Sequence, residues 1–115
     1  MTAYELTYIV RHDMSPADVN TLTKNTQNVI AENGGKTVKD EYWGLRNLAY
    51  KINKANKGHY VFLGIECDAA CLKEVERQLR INEDVIRQMS VKVDAIDDKP
   101  SPVIRNKSGD YEDAA

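Results

Sequence analysis

No apolar run in this chain is long enough to cross a bilayer; the longest, around Val61–Ile65, falls far short of the ~20 residues a spanning helix needs. The N-terminal MTAYELTYIV lacks a basic region leading into a long apolar run and a small-residue cleavage site. No secretory signal is visible, and the cytoplasm is the expected location, with no membrane partner. Cysteine is scarce: Cys67 and Cys71 are the only two, spaced C-x-x-x-C, whereas a redox or zinc half-site calls for closer spacing or further ligands. His12 and His59, the only histidines, lie far from them in sequence. The thiols therefore read as small core residues, and no metal, disulfide or cofactor is expected. A Gly-rich phosphate loop, H-E-x-x-H and G-x-S-x-G are all missing. His12-Asp13 is an isolated dyad at a strand end, and Glu83-Asp84 suits a solvated turn, so neither enzymatic activity nor a small-molecule substrate is expected. One further absence is local. Between Tyr42 and Ile65 there is no carboxylate, although Arg46, Lys51, Lys54 and Lys57 stand there.

What is present fits one domain. The chain has 115 residues, 42% apolar and 30% charged, with a formal charge of −2; that is an ordinary folded composition near the usual single-domain length. The charge is unevenly placed: residues 94–115 hold six acids against three bases, while residues 1–93 hold 13 bases and 12 acids. The last stretch carries two prolines, few large apolar residues and no period. It reads as a flexible acidic tail, residues 95–115, following a folded domain of residues 1–94.

Six segments emerge along the domain. Tyr4–Val10 alternates as a half-buried strand. Ser15 can cap a helix that Pro16 opens and Asp18 favours electrostatically, with Val19, Leu22, Thr26, Val29 and Ile30 as its apolar stripe and Asn33-Gly34-Gly35 as its stop. Lys36–Ile52 is extended, with a bulge or bend expected at Gly44. A polar turn, Asn53–Gly58, leads to a strand over Tyr60–Cys67. Asp68 caps a second helix reaching about Ile81, striped by Leu72, Val75 and Leu79. Val85–Val93 alternates again, predicting Val85, Met89, Val91 and Val93 inward and only Arg87 reversed. The order β-α-β-β-α-β predicts an α+β, ferredoxin-like domain: a four-stranded antiparallel sheet with two helices on one face.

Such a sheet has a side without helices. Parity sends Ile9, Leu48, Tyr50, Tyr60, Phe62 and Ile86 there, which predicts an apolar and aromatic patch that some macromolecule covers. A protein partner could use Leu48, Tyr50 and Phe62 as anchors with Arg46 at the rim. A free-standing single-strand RNA binder of the RNA-recognition type is the alternative. Lys57-Gly58-His59-Tyr60-Val61-Phe62 resembles the start of that module's signature, but Tyr60 stands where Gly or Ala is required. The basic residues are also few for a solitary RNA binder, which favours a surface shared with a more basic partner.

Tyr4-Glu5 with Ile9-Val10-Arg11, the block from Gly44 to Ile52, Lys57-Gly58-His59-Tyr60, and the block from Leu79 to Arg87 together resemble the bacterial small-subunit ribosomal protein S6 family over residues 3–93. The resemblance implies a ribosomal, non-enzymatic protein that binds the central domain of small-subunit ribosomal RNA as a heterodimer with the small basic ribosomal protein S18. It implies RNA contact by Tyr4, Arg80, Arg87 and Lys92, and a partner-facing surface of Arg46, Leu48, Tyr50, Tyr60 and Phe62. Two departures stand out: Lys51 replaces a proline common after the L-A-Y block, and Thr2 stands where some relatives have a basic residue.

Overall fold

Ser15 begins the first helix by a reciprocal device. Its hydroxyl accepts from the Asp18 amide at 3.1 Å, and the Asp18 carboxylate reaches back to the Ser15 amide, satisfying amides that have no partner within the helix. The computed structural model of the chain describes residues 1–52 and 55–96, and the side chains of all of these except 49–52 and 55–56. The elements are β1 (Thr2–Arg11), α1 (Pro16–Glu32), β2 (Lys36–Ile52), β3 (Ala55–Cys67), α2 (Ala69–Ile81) and β4 (Val85–Val93). The strands are ordered β2-β3-β1-β4 with every neighbouring pair antiparallel, as the ferredoxin-like reading predicts. One difference lies at the hairpin: β3 begins at Ala55, so the expected long turn contributes its last residues to the strand, and Asn53 and Lys54 lie outside the described residues.

The main core lies between helices and sheet. Leu6, Tyr8 and Val10 from β1 and Val61, Leu63, Ile65 and Cys67 from β3 meet Val19, Leu22 and Ile30 of α1 and Cys71, Val75 and Leu79 of α2. Apolar stripes on the helices and one face of the strands account for this layer. Tyr8 is a large polar side chain fully inside it. Its hydroxyl shares a 2.6 Å hydrogen bond with Thr23, which meets the need of a buried polar group for a partner, and burial pushes its pKa up to about 12. Cys67 and Cys71 are free and buried, and burial raises the Cys67 thiol to about 12 as well.

The inward pattern expected of β4 is corrected. Ile9 pairs with Arg87, but Val10 pairs with Val85, so β4 carries an extra residue at Ile86. An inserted residue reverses the parity of everything beyond it. Val85 stays on the helix side, while Arg87, Met89, Val91 and Val93 turn to the other side opposite Ile9, Thr7, Glu5 and Ala3. Gln88 and Ser90 take the helix-facing places, and the Ser90 hydroxyl donates to Glu76 of α2. Met89 and Val91 are consequently 49% and 47% exposed.

The tail expected at residues 95–115 falls outside the described residues beyond Ile96. Ile96 itself lies on Gly64, where a Cβ would come within 2.7 Å of its Cγ2. Gly64 shares the parity of Phe62, so this contact is on the side away from the helices. No helix among the described residues is long and apolar enough to cross a membrane.

Candidate nucleic-acid interface

The side of the sheet without helices is not bare, which corrects the expectation of an uncovered patch. Leu48, Tyr60 and Phe62 are 8%, 2% and 7% exposed within the single chain. Ile9, Leu48 and Tyr60 form a second small core with Trp43 and Ile86 packed against it. The side chain of Tyr50 lies outside the described residues. Parity alone does not reveal this cover because it arises from irregular pairing. Tyr42 pairs with Val61 and Gly44 with Tyr60, leaving Trp43 as an extra residue, and Gly44 sits at φ +91°. A glycine in that left-handed region lets the strand bulge without a Cβ clash. The bulge turns the Trp43 indole onto the sheet, stacked on Phe62 at 5.5 Å between centroids and 10° between planes, and on Tyr60 at 6.5 Å and 15°. A further shift, between Asn47 and Ile52, accompanies the burial of Leu48 against Ile9 and Tyr60.

Polar groups brace the indole. Its Nε1–H donates to Glu41 at 2.8 Å, Lys39 pairs with Glu41 at 3.8 Å and also lies 5.7 Å from the Phe62 ring centre. Arg46 donates through Nε to the Trp43 carbonyl at 3.0 Å, so it ties down the bulge. Trp43 is the residue that sequence reasoning missed. Its signal was present, a lone tryptophan immediately before the glycine of an expected bulge.

His59 was also missed as a structural residue. It is buried, with Nε2 2.7 Å from the Met14 carbonyl and Nδ1 2.7 Å from the Tyr42 hydroxyl. A carbonyl can only accept, so Nε2 carries a proton and donates it to Met14. Burial raises the Tyr42 pKa. His12, by contrast, is exposed, and Asp13 beside it pairs with Arg11 at 3.2 Å. Among the described residues no group of His, Cys, Asp and Glu could hold a metal.

The four residues expected to touch RNA gather along β4, in two pairs. Tyr4 and Lys92 face each other across β1 and β4, with Tyr4 packed on the helix-side core. Arg87 lies five residues away on the same strand, roughly 17 Å at strand spacing, and on the opposite side of the sheet. Arg80, exposed on α2, lines a shallow groove of about 210 Å³ together with Arg87, Leu79 and Ile86. β4 is an outer strand of the sheet. Three cations and a tyrosine therefore follow one sheet edge rather than one face, an arrangement suited to tracking a phosphate backbone.

Comparison with known proteins bears on what this edge serves. The profile of the family described as Ribosomal protein S6 matches residues 3–92. The small ribosomal subunit protein bS6 of Maricaulis maris is 49% identical over 107 residues, covering 93% of this chain and 92% of that one. Those of Paramagnetospirillum magneticum and Rickettsia prowazekii are 46% and 43% identical, covering 96% and 94% of this chain and 76% and 89% of theirs. The crystal structure of 30S ribosomal protein S6 from Thermotoga maritima superposes with a TM-score of 0.76 at 29% identity, covering 80% of this chain and 87% of that one. With the β-α-β-β-α-β order and the antiparallel sheet already in place, these matches establish that the chain belongs to the ribosomal protein S6 family.

Proposed function

We propose that this chain, as a structural and non-catalytic component of the small ribosomal subunit in the cytoplasm, binds small-subunit ribosomal RNA along the β4 edge and does so as a heterodimer with ribosomal protein S18. The observation that carries the RNA part is the placement of Arg87 and Lys92 on the outer strand β4, with Tyr4 paired to Lys92 from β1 and Arg80 beside Arg87 from α2. Apart from Arg80, Arg87 and Lys92, residues 1–93 carry slightly more acids than bases. So local concentration, not net charge, supplies the attraction, and a basic partner supplies the remainder. The folded domain, residues 1–94, carries both contacts, with the acidic segment 95–115 outside them.

For the partner, Arg46 and the projecting β2–β3 hairpin, including Tyr50, form the contact. Leu48, Tyr60 and Phe62 act beneath it, as the buried support that holds Trp43 and the bulge in place. Arg46→Glu is the informative substitution, because Leu48 and Phe62 cannot be changed without opening a core. It is expected to weaken association with S18 at least several-fold by calorimetry while circular dichroism stays unchanged; undiminished affinity would move the partner off the hairpin.

The RNA part is tested by Arg87→Ala in the heterodimer, titrated with a central-domain RNA fragment over a range of salt. The slope of log K against log salt should become shallower by about 0.7–0.9, the loss of one phosphate contact. A slope equal to that of the wild type would remove Arg87 from the interface.

A further inference from the structure

Beside the cover formed by Trp43 a cavity opens on the same side of the sheet. It holds about 270 Å³ between the indole and β4, with Thr7, Ile9 and Tyr60 at its base and Met89 and Arg87 at its margin. Ordinary small-molecule sites span roughly 300–1,000 Å³, so this space suits one flat ring system rather than a whole cofactor. Arg87 lines both this cavity and the groove it shares with Arg80. Neither lining includes a carboxylate, in a chain whose acids outnumber its bases, 18 to 16.

We propose that this cavity receives a single unpaired base of an RNA strand, stacked against Trp43 and Met89, while Arg87 and Arg80 hold the adjoining phosphate. The inference rests on the RNA-binding reading above and adds to it a pocket for a base. Aromatic and apolar walls accept any base through its π-face, and a cation at the mouth neutralises the phosphate that a nucleotide necessarily brings. Charge decides between nucleotide and protein as occupant. A basic protein segment would meet two guanidinium groups with no carboxylate in either lining, whereas an anionic strand finds both complementary. The position also fits a chain running along β4, since cavity and groove open on the two sides of the same outer strand.

Trp43 is the only tryptophan, so its emission reports on the cavity directly. The full-length free chain is titrated with hexaadenylate and hexauridylate, with ribose 5-phosphate as the probe lacking a base. Saturable quenching by the oligonucleotides and none by ribose 5-phosphate is expected, with at least about tenfold weaker binding in Met89→Glu and in Arg87→Ala. Met89 is half exposed, so its replacement spares the core, and circular dichroism checks both variants. Unchanged emission at millimolar oligonucleotide, with RNA binding by the heterodimer intact, would overturn the pocket and leave the broader reading standing. Loss of RNA binding by the heterodimer itself would overturn both. Quenching by S18 alone, abolished by Met89→Glu without effect on RNA affinity, would assign the cavity to the protein partner and overturn the proposal.

Discussion

Replacing Trp43 with alanine is expected to destabilise the fold by about 3 kcal/mol, a large effect for a residue on the side of the sheet that carries no helix. The indole lies nearly parallel to Phe62 and Tyr60 and is the aromatic cover for both. Removing it exposes their rings, withdraws two stacking contacts and leaves Glu41 without its 2.8 Å indole donor. An aromatic side chain buries about 150–250 Å² when fully enclosed, and Trp43 is half enclosed, so burial and stacking contribute comparable amounts. Urea denaturation gives the loss, and enhanced binding of an apolar fluorescent dye reports the opened face. Trp43→Phe should recover most of the stability, since the missing hydrogen bond is worth about 1 kcal/mol. If Trp43→Ala cost less than 1 kcal/mol and bound no more dye, the indole would not be the cover, and the second small core would have to be held by Leu48 and the hairpin alone.

Alkali is expected to destabilise the protein progressively from about pH 9 upward. Cys67 and Tyr8, with ordinary values of 9.0 and 10.0, are both pushed up to about 12 in the folded state, each chiefly by burial. Between those limits the unfolded chain has released a proton that the folded chain still holds. The unfolded state then binds fewer protons, and stability falls as pH rises. The contribution is fully present below pH 9 and declines from there by up to ~1.4 kcal/mol per pH unit for each group. Tyr8 joins from pH 10, and both are spent near pH 12, for a combined loss on the order of 7 kcal/mol. Urea midpoints at pH 8, 9.5 and 11 measure the decline. Tyr8→Phe should flatten the section above pH 10, because phenylalanine has no proton to release. An identical alkaline slope in that variant would place the titrating group elsewhere.

The order and type of the six elements were legible in the sequence because each is set by neighbours in the chain. Ser15-Pro16-Ala17-Asp18 encodes a helix start by local hydrogen bonding, Asp68 does the same for α2, and strand alternation follows from a two-residue repeat. The helix-side core followed from the same patterns. The bulge at Gly44 was legible too, since only local backbone geometry demands a glycine there. The consequences of the bulges were not. The extra residue at Ile86 turned Met89, Val91 and Val93 away from the helices, and the one at Trp43 laid an indole over the rings that parity had left bare.

For the candidate site the division runs along the same line. Arg80, Arg87, Lys92 and Tyr4 could be chosen from the sequence by family resemblance, but their separation into two pairs along β4 depends on the register between strands distant in the chain. His59 shows it most simply. Its two partners, Met14 and Tyr42, are 45 and 17 residues away, and nothing in the local sequence announces either. The chain by itself determined the elements and which family they compose, because those depend on local sterics and periodicity. Tertiary structure alone decided which side chains are covered and where a cavity remains, because a single inserted residue in a strand pair redirects every side chain that follows it.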